Sequence, residues 1–89
     1  MAERLSYSIL IEKRAAKEAE AIPAKARSLI DKTILALAIN PRPKHSKKLT
    51  DKEGYRIRTG SYRLLYTIDD RQKIVVIYRI KIKSKATYR

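Results

Sequence analysis

Hydrophobic periodicity changes twice along this chain, and each change selects a different kind of element. Leu5, Tyr7, Ile9 and Ile11 recur at every second residue, the mark of a strand with one buried face. From Glu12 the alternation stops. Lys13-Arg14-Ala15-Ala16-Lys17-Glu18-Ala19 is short and helix-prone, and Pro23 suits the first turn of a second helix. Ala26, Leu29, Ile30, Thr33, Ile34, Leu37 and Ala38 give that helix a broad apolar stripe, which Asn40-Pro41 terminates. Strand-like runs return at about 55 to 59, 61 to 69 and 73 to 82, the last two joined by a tight turn at Asp69-Asp70-Arg71-Gln72.

This β-α-α-β-β-β order predicts an α+β fold in which a helical hairpin covers one face of a single twisted antiparallel sheet. A chain of 89 residues has material for one domain, spanning 1–89, and for little beyond two layers. It contains no Cys, so neither disulfides nor thiolate metal sites can reinforce a small core, and a reducing, cytoplasmic setting is expected. No long apolar run marks the N-terminal segment, so neither a signal peptide nor a membrane span is expected.

Residues 40 to 53 lack periodicity and read as a basic loop carrying Pro41, Pro43, Lys44, His45, Lys47, Lys48 and Lys52, with Leu49 anchoring its end. His45 is the single imidazole and has no second His or Cys at ligand spacing, so no metal site and no cofactor are expected. Asp69 and Asp70 read as turn formers, and Tyr7 and Tyr78 as core aromatics.

Charge is the strongest bulk property. The chain carries 22 Lys/Arg against 9 Asp/Glu, a net +13, and the excess is lopsided: residues 1–40 hold 7 against 5, residues 41–89 hold 15 against 4. A surface so biased fits a polyanion or an acidic protein partner. Strand alternation assigns it to faces. Tyr55, Ile57 and Thr59 share one face while Arg56 and Arg58 share the other; in the last strand Ile74, Val76, Tyr78, Ile80 and Ile82 alternate with Val75, Ile77, Arg79, Lys81 and Lys83. If the helices cover the opposite face, Arg56, Arg58, Arg63, Arg79, Lys81 and Lys83 converge on an open concave side.

The hairpin Tyr55-Arg56-Ile57-Arg58-Thr59-Gly60-Ser61-Tyr62-Arg63-Leu64-Leu65-Tyr66 combines guanidiniums, which fork onto phosphate oxygens, with flat rings that can stack on unpaired bases. This motif resembles the central hairpin of the RelE and ParE superfamily of toxins. The resemblance in layout extends over the whole chain, and the residue match covers Leu49 to Tyr66 and, more loosely, Ile74 to Tyr88. The ending Arg79-Ile80-Lys81-Ile82-Lys83-Ser84-Lys85-Ala86-Thr87-Tyr88-Arg89 is similar to the basic tails of RelE proteins, including archaeal-like members that use basic residues and a tyrosine where others carry histidine.

The resemblance implies a type II toxin that cleaves mRNA in the ribosomal A site without a metal. The 2′-OH attacks the adjacent phosphate and leaves a 2′,3′-cyclic phosphate and a 5′-OH. It implies that Arg63 clamps the scissile phosphate, that Arg56 and Arg58 hold the backbone or neutralise the phosphorane, and that Lys81, Lys83 or Lys85 supplies a cation near the leaving oxygen. Tyr88 would stack on a base. Arg79, Lys47, Lys48 and Lys52 extend the RNA-binding surface. The proton acceptor stays open among Lys81, Lys83, Lys85, Tyr88, water and ribosomal RNA, since arginine remains protonated. Expected partners are the ribosome, mRNA and a RelB-like antitoxin in a hetero-oligomer. The hairpin motif alone does not separate a nuclease from a ParE-like gyrase inhibitor, and a non-catalytic basic RNA-binding module is a third reading.

Overall fold

The structure is a computed structural model that describes residues 6–82. Its elements are β1 (Ser8–Ile11), α1 (Lys13–Glu20), α2 (Ala24–Ile39), β2 (Lys47–Lys48), β3 (Tyr55–Thr59), β4 (Tyr62–Asp69) and β5 (Ile74–Ile82). One five-stranded sheet runs in the order β1-β5-β4-β3-β2. β1 lies parallel to β5, from which the two helices and three strands separate it in sequence, and the other pairs among the described strands are antiparallel. The α+β layout matches the expectation from periodicity, with one addition. Lys47 and Lys48, read as loop, form a short edge strand opposite Arg56 and Tyr55.

Burial follows from the helical hairpin lying on one face. Ala15 of α1 and Ile30, Leu37 and Ala38 of α2 are buried with Ile57, Leu64, Tyr66, Val75, Ile77 and Ile80 of the sheet. Among the described residues, Tyr66 is the largest fully buried side chain. The sequence grouped it with displayed tyrosines; the structure puts it in the core, with Tyr55 stacked against it at 5.8 Å between ring centroids. Its hydroxyl donates to the Pro41 carbonyl at 2.7 Å, and burial raises its pKa above the ordinary phenol value. Tyr7 is only half-buried and points its hydroxyl at Asp70.

The strict alternation predicted for the last strand does not hold, and the departure organises the other face. Val75, Ile77 and Ile80 are buried, a sequence of positions that changes parity. The register explains it: Leu65 pairs with Arg79 but Tyr66 pairs with Ile77, so Tyr78 is an extra residue in a β-bulge. Without that bulge, Arg79 and Lys81 would share the core-facing side of Val75 and Ile77. With it, they turn to the open face, while Ile80 takes the core position opposite Leu64.

Two turns fix the hairpins. Gly60, with φ of 61°, is the first of two central residues between β3 and β4, where positive φ matches the strand twist. Asp69 accepts the Gln72 backbone N–H at 3.0 Å in the β4–β5 turn, as its reading as a turn former predicts. Asp70 does something else, described below. Past Ile77, where β1 ends, the edge of β5 is covered by α1: Glu18 accepts the Ile80 N–H at 2.7 Å and the Arg79 Nε–H at 2.8 Å.

Candidate nucleic-acid interface

On the face away from the helices, register lines up basic residues across the strands. Arg58 on β3 pairs with Arg63 on β4, which pairs with Lys81 on β5. Two residues along, Lys47, Arg56, Leu65 and Arg79 form a second rank on the same face. Directly opposed residues in such ladders have Cβ atoms roughly 4.5–5.5 Å apart, and like charges so placed repel. Arg63 stands between cations on both sides. Its side chain is partly buried, and its Nε, shielded from solvent, finds no hydrogen-bond partner among the described residues. Leaving such a donor unmade costs about 1–3 kcal/mol, so the arrangement is poor for stability.

The predicted site residues divide into three groups. Arg56, Arg58, Arg63, Lys81 and Lys47 share the open face. Arg79 reaches it by register, but its guanidinium is engaged by Glu18 and ties α1 to the sheet edge. Lys48 pairs with Tyr55 and so alternates away from the Lys47–Arg56 rank, and Lys52 is exposed in the turn before β3. Lys83, Lys85 and Tyr88 lie outside the described residues.

The segment before β2 is held at several points. Arg42 forks onto Asp70 at 2.8 and 3.3 Å and donates from Nε to the Tyr55 hydroxyl at 3.1 Å. Tyr7 also donates to Asp70, at 2.7 Å. These bonds lower the Asp70 carboxyl pKa to about 2, the Arg42 fork contributing most and Tyr7 next; the bond to Asp70 also raises the Tyr7 phenol. Ser46 bonds the Pro43 carbonyl through both its N–H and its hydroxyl, at 2.9 and 2.8 Å. The held segment delivers His45 to a recess of about 210 Å³ lined by Lys47, Arg56 and Arg58. Sequence reading missed this imidazole, because its neighbours come from β3 through the pairing of Lys47 with Arg56.

A family model described as the ParE toxin of the type II toxin–antitoxin system parDE matches residues 9–86. The chain belongs to this toxin family. Among similar solved structures, a RelBE toxin–antitoxin complex from Mycobacterium tuberculosis is 26% identical at a TM-score of 0.80, with 88% of this chain and 92% of that chain covered. The isolated E. coli RelE toxin is 22% identical at a TM-score of 0.79, covering 89% and 86%. An archaeal RelE–RelB complex from Pyrococcus horikoshii is 22% identical at 0.77, covering 90% and 98%. The last two likenesses bear on fold alone. No curated protein matches the chain. The toxin is thus a member of the RelE/ParE superfamily, and its open basic face occupies the sheet surface that the helices leave bare.

Proposed function

We propose that this toxin is a ribosome-dependent mRNA endonuclease acting in the cytoplasm. The observation that carries the reading is the Arg58–Arg63–Lys81 rank, three cations aligned across adjacent strands on the face away from the helices. Arg63 binds a non-bridging oxygen of the scissile phosphate, and Arg58 and Lys81 offset the charge that grows as the 2′-oxygen attacks. Bound charge of that sign relieves the repulsion within the rank. Arg56 and Lys47 hold flanking phosphates, and Lys48 and Lys52 extend the contact along the sheet edge. Lys83, Lys85 and Tyr88 keep the roles that the RelE resemblance gives them, as tail cations and a stacking ring.

The partner is a RelB-like antitoxin, since the similar structures include RelB–RelE complexes and a strongly basic face suits an acidic segment. A second reading has one specific support: the matching family is described as ParE, and a ParE-like toxin would bind gyrase and cleave nothing. Adding the protein to a translating extract and mapping mRNA 5′ ends by primer extension separates the two. Cuts that appear only with ribosomes present are expected. Equal cleavage of free RNA, or intact mRNA with trapped gyrase–DNA complexes, would overturn the nuclease reading.

A further inference from the structure

Arginine cannot accept a proton, and the described part of the open face offers mainly arginine and lysine. Imidazole is the side-chain type that exchanges protons near neutral pH, and one stands at the edge of that face. His45 lines the recess with Lys47, Arg56 and Arg58, and Arg58 is the direct cross-strand neighbour of Arg63. The backbone on either side of this exposed ring is held, since Pro41 is buried under the Tyr66 hydrogen bond and Ser46 closes a turn onto Pro43. An adjacent recess holds a carboxylate, Asp51, beside Lys47, Lys48 and Arg56, but neither His45 nor Arg58 lines it.

We propose that His45 is the general base of the cleavage reaction, an inference that rests on the nuclease reading above. A phosphate seated on Arg63 and Arg58 brings its neighbouring ribose to the mouth of the recess. As the 2′-oxygen bonds to phosphorus, its proton passes to the unprotonated imidazole nitrogen. The bond from phosphorus to the 5′-oxygen breaks, and that oxygen takes a proton from water. The imidazolium returns its proton to the hydroxide so formed. Lys47 and Arg56 flank the ribose and phosphate without taking part in the transfer.

The test is single-turnover cleavage of mRNA in programmed ribosome complexes at saturating toxin. His45→Ala and His45→Gln are expected to lose about a hundredfold or more in rate, the usual contribution of a positioned base, while binding the ribosome complex as the parent does. Added imidazole should restore cleavage to His45→Ala and not to Arg63→Ala, and Asp51→Asn should cut at the parent rate. Undiminished cleavage by His45→Ala overturns the proposal, as does a slow variant that imidazole does not rescue or a loss confined to Asp51→Asn. Absence of cleavage by the parent protein overturns the proposed function itself, which distinguishes the two failures.

Discussion

The two faces of the sheet are built from the same strands and obey opposite rules. Toward the helices, Ile57, Leu64, Tyr66, Val75, Ile77 and Ile80 are apolar or hydrogen-bonded and almost fully buried. Away from them, Arg58, Arg63 and Lys81 stand in a row that repels itself. The first face lowers the free energy of folding, and the second raises it unless an anion is bound. What separates them on β5 is one residue, Tyr78, whose bulge reverses the parity and directs Arg79 and Lys81 outward. Stability and function are thus written on alternate residues, which makes them separable by substitution.

The separation can be broken most forcefully from the covered side. Leu64→Ala, at a side chain with no exposed surface, should cost about 2–5 kcal/mol in urea unfolding followed by circular dichroism, enough to endanger so small a domain. Glu18→Ala is expected to cost roughly 1–3 kcal/mol in the same assay, because the Ile80 N–H and the Arg79 guanidinium both lose their acceptor. Tyr66→Phe keeps the ring and removes only the bond to the Pro41 carbonyl, for about 1 kcal/mol. Smaller still is the exposed Asp70. Its carboxyl pKa is depressed to about 2 in the folded protein, so the Arg42 and Tyr7 bonds stabilise above its ordinary pKa near ~4 and fade as pH falls from there towards 2. Thermal melts across that window should show a shallower acid loss in Asp70→Asn than in the parent.

Most of the covered side was legible in the sequence, because Leu37 and Ile30 on the second helix and Ile57 on the hairpin repeat at helical and strand spacing. Tyr66 shares parity with Leu64, a signal for burial that its place among the hairpin arginines obscured. The bulge was hidden for a different reason. Ile74-Val75-Val76-Ile77 is apolar at both parities, so nothing marks the shift until Ile80 appears between Arg79 and Lys81. Arg56, Arg58 and Arg63 could be placed on the open face from alternation alone. The engagement of Arg79 by Glu18 could not, since it joins residues far apart in the chain across the edge of β5 that α1 covers beyond β1. His45 escaped for the same kind of reason: a two-residue strand is too short to show a period, and that strand is what brings the imidazole to Arg56 and Arg58.

Arg63→Ala separates the two faces in one experiment, with urea unfolding and ribosome-dependent cleavage measured on one preparation. The expected result is stability equal to the parent or slightly higher, because a self-repelling cation with an unmade Nε–H bond is gone, together with a cleavage rate lower by about a hundredfold, equivalent to roughly 3 kcal/mol of transition-state stabilisation. A variant that unfolds well before the parent, or one that cleaves as fast, would contradict it.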